Sequence, residues 1–334
     1  MPQVSVVIPC YNERATIGLL LGALDKQTFA RSEMEVIVVD GQSTDGTLDA
    51  VAEFRAQHPH LNVRLVANPQ RSIPAALNQG IHAAQGTYIV RLDAHSMPEP
   101  EYVARCVAAL EAGMGANVGG VWQIRPGGDG GVVARAIAAA AAHPLGVGDA
   151  RYRYTETAAA VDTVPFGAFR RDLVMKIGAF DERLLTNEDY EFNVRVRRSG
   201  GTVWLDPAIR SIYFARASFG ALARQYWRYG YWKARMLRRY PGTLRWRQAL
   251  PPLFVLGLLI LAVLGTGFPP ARGTMLAVLS VYALILMAVG MQVAFKRRDF
   301  PLAFGVPIAI ATMHLCWGTA LLWSTLTAFL RRDR

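Results

Sequence analysis

Glu35–Thr47, EVIVVDGQSTDGT, decides the fold. Val36–Val39 is an unbroken apolar, β-branched run, the pattern of a strand buried on both faces. It stops at Asp40 in a turn rich in Gly, Ser, Thr and Asp, and Thr47–His58 follows with helical character. The same unit recurs on either side. Val4–Pro9 (VSVVIP) reads as a buried strand, and Arg14–Gln27 carries Ile17, Leu20, Leu21 and Leu24 at helical spacing. Val63–Ala67 is a third strand and Ile73–Ala84 a helix, and Thr87–Leu92 is a strand ending at Asp93. Strand alternating with helix predicts a mostly parallel α/β sheet with helices on both faces. Four stretches put turn formers or carboxylates at or near the ends of apolar runs: PCYNE (Pro9–Glu13), DGQSTDGT (Asp40–Thr47), RLDAH (Arg91–His95) and NEDYE (Asn187–Glu191). Strand ends are where open α/β sheets build ligand sites.

Composition changes along the chain. Of 334 residues, those up to about 245 mix charged and apolar positions as a water-soluble domain does. Leu250–Phe268, Thr274–Phe295 and Leu302–Leu330 are each long and apolar enough for the ~30 Å hydrocarbon layer, which takes about 20 residues. Buried core helices of that length seldom lack charge altogether. The predicted division is a catalytic domain over 1–215, basic and aromatic interfacial helices over 216–248, and membrane segments over 249–330. Much of the net charge of +11 is concentrated: ten Lys and Arg and no acid lie between Arg210 and Arg247. Placed before membrane helices, such a stretch fits anionic headgroups on the cytoplasmic face rather than nucleic acid. Cys10, Cys106 and Cys316 are far apart and suit a reducing compartment. With the first strand at Val4, no signal peptide is expected, and the catalytic part is placed in the cytoplasm.

The middle is less regular. Ala134–Ala142 reads as a packing helix, and His143–Tyr154 (HPLGVGDARYRY) as a glycine-containing loop and potential flap. A helix starts near Arg171, Tyr190–Ser199 is helical, and Thr202–Leu205 and Ile209–Phe214 read as two short strands.

Several of these residues can carry chemistry, each beside a plainer reading. Asp40 at a strand end can accept hydrogen bonds from a nucleobase imide or a ribose. Ser43, Asp45, Gly46 and Thr47 shape the turn, and a capped strand-to-helix turn accounts for the same residues. Asp93 and His95 follow the buried strand YIVRL, where an unpaired charge is costly. A divalent metal resolves that cost and can neutralise a diphosphate; the alternative is an ordinary polar loop. The histidine tilts the site towards Mn²⁺, with Mg²⁺ the alternative. Glu188 and Asp189 open a helix; Asp189 is the candidate base for a sugar hydroxyl, unless both merely favour a first helical turn. Gln225 and Arg228 share a helix face in QYWRY and can hold a pyrophosphate. Tyr229 and its aromatic neighbours also suit an interfacial helix.

In this order PCYNE, DGQSTDG, RLDAH, NED and QYWRY resemble glycosyltransferase family 2, which has the Rossmann-like, nucleotide-binding GT-A fold. The resemblance covers about residues 4–235. DAH, HPLGVGDARYRY, FGAFRRD and RYGYWKARML look more narrowly like the succinoglycan-type membrane glucosyltransferases of exopolysaccharide assembly. It implies an inverting hexosyltransferase in the inner membrane, moving one sugar, glucose, from a UDP-sugar to a polyprenyl-diphosphate-linked saccharide. Pro9, Tyr11 and Glu13 would line the nucleotide pocket with Asp40 and Ser43, and Arg71 falls where relatives place a basic residue near it. Asp93 and His95 match the metal-binding Asp-x-Asp position, with His for the second carboxylate. Asp189 matches the family base beside Glu188. Gln225, Arg228 and Tyr229 fit the Gln-x-x-Arg-Trp motif, with Tyr for Trp.

The competing readings are a processive polysaccharide synthase and a non-catalytic nucleotide-sugar-binding membrane subunit. Three membrane segments are few for the channel of the first, and the metal pair and base argue against the second. Topology holds one conflict. Lys296–Arg298 should be cytoplasmic, and a third full crossing would put Arg331, Arg332 and Arg334 outside, against the positive-inside tendency. Pro307 and Gly318 leave a re-entrant hairpin open.

Overall fold

The structure, a computed structural model, describes residues 1–330, so Arg331, Arg332 and Arg334 lie outside the described residues. It divides into two compact units: Met1–Gln123 with Arg151–Tyr213, and Ile124–Ala150 with Phe214 onward.

The first unit is built on β1 (Val4–Cys10), β2 (Met34–Asp40), β3 (Asn62–Ala67) and β4 (Tyr88–Arg91), all parallel and ordered β3-β2-β1-β4. Helices α1 (Ile17–Asp25), α2 (Thr47–Gln57) and α3 (Ile73–Ala83) join them. Successive side chains of a strand point to opposite faces, and β1 shows the consequence. Val4, Val6 and Ile8 enter one core with Leu20, Leu21 and Leu24 of α1, while Val7 enters a second with Ile37, Val39 and Leu77. This two-sided burial makes the strand continuously apolar, and truncating Ile8 to Ala would cost about 2–5 kcal/mol. Gly80 lets α3 lie close to the sheet, since a Cβ there would stand 2.3 Å from Val7 Cγ1.

Beyond β4 the sheet becomes antiparallel. The next elements are β5 (Ser96–Pro98), α4 (Tyr102–Glu111) and β6 (Asn117–Arg125). The sheet continues from β4 through the three-residue β8 (Ala168–Arg170) and β6 to β9 (Val203–Phe214) and β5, with β7 (Ala159–Ala160) also on β9. β5, β6, β7 and β8 lie outside the strands expected from sequence. The two expected strands near the end are one, because Pro207 falls between the residues that pair with β7 and those that pair with β5. Proline has no N–H for a ladder, so that position is the tolerated one. Two helices complete the unit, α7 (Arg171–Ile177) and α8 (Glu188–Arg198).

The second unit contains α5 (Val132–Ala141), α6 (Pro144–Val147) and four long helices: α9 (Phe219–Arg239), α10 (Trp246–Leu264), α11 (Pro269–Arg297) and α12 (Leu302–Leu330). Ile124–Ala150, expected within the first domain, belongs here. Arg135 Nε pairs with Asp299 Oδ2 at 2.7 Å, and His314 Nε2 lies 2.8 Å from the Leu145 carbonyl. Helices α10, α11 and α12 are long and apolar enough to cross a membrane. Leu259, Val263, Leu276 and Leu284 stand exposed on them, an apolar surface that suits lipid rather than water. Against the hairpin, α12 is one continuous helix of 29 residues despite Pro307 and Gly318, about 43 Å at 1.5 Å per residue.

Candidate active site

The C-terminal ends of β1, β2 and β4 and the start of α8 hold the sequence-predicted residues of the first unit. The loops after β1 and β2 are tied together. Ser43 Oγ donates to Asp40 Oδ1 at 2.5 Å and accepts from the Asn12 N–H at 2.8 Å, and Ser43 N–H donates to Asp40 Oδ2 at 3.0 Å. Asn12 Oδ1 accepts from the Thr44 N–H, and Thr47 Oγ1 from the Glu13 N–H. Asp40 is buried, with both carboxylate oxygens already accepting from Ser43. It therefore orders this loop whatever else it binds. Tyr11 is exposed beside Gly41, and Pro9 is half-buried at the end of β1. Exposed Arg71 donates from Nε and Nη2 to Gln42 Oε1 at 3.1 and 2.9 Å, which brings the loop after β3 to the same edge.

At the end of β4, Asp93 and His95 are both half-buried. His95 Nδ1 lies 3.1 Å from Glu13 Oε1. A carboxylate on one ring nitrogen is the usual outer partner of a metal-ligating imidazole. Glu13 Oε2 in turn accepts from Thr16 Oγ1 at 2.5 Å. An oxygen donor and a fixed imidazole two residues apart fit Mn²⁺, and a single carboxylate suits Mg²⁺ less well.

Arg91 organises the rest. Its side chain is 3% exposed, and Nη2 donates to Glu188 Oε1 at 3.0 Å and Asp93 Oδ1 at 3.2 Å, while Nη1 contacts Asp189 Oδ1. Burial works against its charge, but the Asp93 and Glu188 carboxylates outweigh burial and raise its pKa further. One guanidinium thus fixes a candidate metal ligand, a buried glutamate and the candidate base. Its Nε–H is buried with no hydrogen-bond partner among the described residues. Glu188 is buried behind this guanidinium, whereas Asp189 keeps about a third of its side chain open. That difference makes Asp189 the accessible carboxylate of the pair.

Cys10, at the end of β1, is buried and held as a thiol. Burial, and then Asp40, Glu13 and Asp45, push its thiol up to about 12.

A further group was not singled out by the sequence reading. Trp122 of β6 stacks on Tyr213 of β9 at 4.1 Å, and Arg153 lies 4.9 Å over the Trp122 ring. Tyr213 pairs with Ser96 and stands 6.5 Å from the His95 ring, so this wall adjoins the Asp93–His95 loop. Arg151–Arg153, in the expected flap, forms a 3-10 turn, with Arg153 buried. No motif marks Trp122 or Tyr213. Arg91 had a signal, a lone charge inside an apolar strand. Gln225, Arg228 and Tyr229 belong to the second unit on α9. Gln225 Nε2 donates to Tyr229 Oη at 3.0 Å, and Arg228 is exposed.

Residues 5–178 match the family model described as glycosyl transferase family 2. The chain is 28% identical to succinoglycan biosynthesis protein ExoA of Rhizobium meliloti (strain 1021), covering 98% of this chain and 96% of the relative. It is 26% identical to the dolichyl N-acetyl-alpha-D-glucosaminyl phosphate 3-beta-D-2,3-diacetamido-2,3-dideoxy-beta-D-glucuronosyltransferase of Methanococcus voltae, covering 94% of both. Among solved structures, the mannosyltransferase PcManGT from Pyrobaculum calidifontis, in complex with GDP-Man and Mn²⁺, superposes with a TM-score of 0.57 at 23% identity, covering 93% of this chain and 87% of that one. S. aureus TarS 1-349 in complex with UDP-GlcNAc gives 0.52 at 18% identity, covering 95% and 90%. The likeness to these two shows the GT-A fold. The chain belongs to glycosyltransferase family 2 and is a glycosyltransferase.

Proposed function

We propose that the chain is an inverting, metal-dependent transferase that moves one glucosyl unit from UDP-glucose to a polyprenyl-diphosphate-linked saccharide. We place it in the bacterial inner membrane, with residues 1–215 catalytic and cytoplasmic, 216–248 at the headgroups and 249–330 spanning. The observation that carries this reading is the Arg91 bridge, which holds Asp93 of the candidate metal pair and Asp189, the candidate base, on one buried cation. Two whole-length relatives support the acceptor class and pathway. One is named as acting on a dolichyl-linked sugar phosphate, the other for succinoglycan biosynthesis.

Asp189 takes the proton of the acceptor hydroxyl as that oxygen bonds the anomeric carbon. The carbon–oxygen bond to the diphosphate breaks with its electron pair, inverting the carbon. A divalent metal held by Asp93 and His95 would neutralise the charge gathering on the diphosphate. Arg91 holds Asp189 in one orientation, and Glu13 holds the His95 ring. Pro9, Tyr11, Asp40, Ser43 and Arg71 receive the nucleotide, Glu188 supports Asp189, and Gln225, Arg228 and Tyr229 offer donors to a pyrophosphate.

The test presents purified enzyme with a panel of UDP-sugars and a polyprenyl-diphosphate monosaccharide, with and without Mn²⁺ or Mg²⁺. The expected product carries one added glucose of inverted configuration, formed only with metal. Asp189→Asn should abolish transfer and leave UDP binding largely intact. Normal turnover by that variant would sink the assignment of the base, and a long polymer would replace single transfer with processive synthesis.

A further inference from the structure

A second group of ligating side chains lies outside the candidate active site. Asp25 is the last residue of α1, His58 caps the C-terminus of α2, and His60 follows in the turn before β3. His60 Nε2 is 2.7 Å from Asp25 Oδ1, and His58 Nδ1 is 3.4 Å from Asp25 Oδ2. The three ligand atoms all lie within 4.8 Å of one another. The first two helices run back from the C-terminal ends of β1 and β2, so this group sits at the opposite edge of the parallel sheet. Strands of seven residues separate the edges by about 20 Å.

The arrangement is held in place from several sides. Phe54 stacks on the His58 ring at 4.2 Å and 10°, and the Leu61 N–H donates to the His58 carbonyl at 3.1 Å, closing the turn that carries His60. Arg31 Nε donates to the Asp25 carbonyl at 2.8 Å and to Oδ1 at 3.2 Å. The guanidinium is therefore anchored chiefly on the backbone and steadies the carboxylate. Asp25 is mostly covered, His58 about a third exposed and His60 half exposed, so solvent reaches the group. His60 also lines a surface groove with Arg55, Ala56, Pro59 and Leu61.

We propose that Asp25, His58 and His60 form a second divalent-metal site, of the zinc class, separate from the catalytic pair. Two imidazoles and one carboxylate are the donors that Zn²⁺, Co²⁺ and Ni²⁺ prefer, whereas Mg²⁺ demands oxygen. Zinc–nitrogen bonds of about 2.0–2.1 Å in a tetrahedron set ligand atoms roughly 3.3 Å apart. The 2.7 and 3.4 Å contacts, made to the two different oxygens of Asp25, and the 4.8 Å limit on all three ligand atoms leave the group within small side-chain adjustments of that spacing. The ion replaces the two carboxylate–imidazole contacts, and solvent takes its fourth position. Such a site clamps the end of α1 to the turn between α2 and β3, and it does not depend on which sugar the enzyme transfers.

The experiment uses full-length protein in detergent, stripped with chelator, carrying His95→Ala to silence the candidate catalytic pair. Titration with Co²⁺ should give one equivalent bound and visible d–d absorption, displaced by Zn²⁺ and not by equimolar Mg²⁺. Adding His58→Ala or His60→Ala should weaken binding at least 10-fold, and both together should abolish the spectrum. In the His95→Ala background Zn²⁺ should also raise the apparent unfolding midpoint, an effect lost in His58→Ala. Metal-free midpoints matching the parent show that these surface variants fold. Equal Co²⁺ binding with and without His58 and His60 would overturn the proposal, leaving a carboxylate–imidazole ion pair only.

Discussion

Arg91 offers the sharpest test of how the site is held. Its guanidinium is enclosed and faces three carboxylates, of which Glu188 is itself buried. Arg91→Met leaves these charges without their cation, and removing one partner of a buried pair costs about 3–5 kcal/mol. Against a total stability of about 5–15 kcal/mol this is a large fraction. The apparent midpoint should fall by on the order of 10 °C for a unit of this size. Glu188→Gln removes the most buried of the stranded charges. The double variant Arg91→Met/Glu188→Gln should therefore recover about 1–3 kcal/mol relative to Arg91→Met alone. Arg91→Lys keeps the charge on a single head that cannot reach three carboxylates at once. Each charged hydrogen bond it forfeits is worth about 1.5–3 kcal/mol, and a base displaced by about 1 Å loses on the order of 100-fold in rate. Measured by UDP release with saturating acceptor, kcat for Arg91→Lys should fall by about 10- to 100-fold, with KM for the nucleotide sugar nearly unchanged. Wild-type kcat and midpoint in Arg91→Lys, or no recovery in the double variant, would refute the bridging role.

Three further outcomes follow from other contacts. Glu13→Gln exchanges the carboxylate on His95 Nδ1 for an amide, so the apparent Mn²⁺ affinity in the transfer assay should drop about 10- to 100-fold. Burial pushes the Glu35 carboxyl up, but hydrogen bonds from Ser5 Oγ, the Gln85 N–H and Arg64 outweigh it and hold it below the ordinary carboxylate range. A depressed folded-state pKa gives stability that is full above the unfolded value of about 4.3 and is lost as pH falls through the lower folded value. Midpoints of Glu35→Gln should accordingly lie below wild type at pH 7 and lose less between pH 5 and 3. In the second unit a Cβ at Gly230 would stand 2.4 Å from the Trp317 carbonyl oxygen, so Gly230→Val should force α9 off α12. Limited proteolysis should then cut between α9 and α10 faster than in wild type.

The parallel half of the sheet is legible because its strands are buried on both faces and therefore apolar throughout. The antiparallel half is not. In Asn117–Arg125 the expected alternation is interrupted by Gly119 and Gly120, which look like loop residues. Their absence of side chain answers a neighbour: a Cβ at Gly120 would lie 1.9 Å from the Ile209 carbonyl oxygen. β8 has only three residues, too few to show a period. In the site, the cost of an unpaired carboxylate at the end of the buried strand YIVRL is visible from sequence, and a metal at Asp93 and His95 is one way to meet it. The structure meets the cost of Arg91 with Asp93, two residues on, and with Glu188 and Asp189, nearly a hundred residues away. A pairing at that separation leaves no local pattern. Trp122 and Tyr213 escaped for the same reason, since their stacking is made by strand order rather than spacing.

Backbone strain marks the same edge of the sheet by an independent route. Six non-glycine residues among those described have positive φ, and Asn12, Gln42, Arg71 and Asn187 are four of them. Asn12 follows β1, Gln42 follows β2, Arg71 lies in the loop after β3, and Asn187 directly precedes Glu188. Left-handed geometry is unfavourable for side chains other than glycine, least so for asparagine, and persists where surrounding contacts over-determine it. Those contacts are present: Asn12 is fixed through Ser43 and Thr44, and Gln42 and Arg71 hold each other. Of the other two, Phe166 lies in the first core and Arg298 ends α11, whereas these four gather where the carboxylates and His95 converge. The strained turns therefore belong to the same construction as the Arg91 bridge. One fixes the loops after β1, β2 and β3, and the other fixes Asp93, Glu188 and Asp189.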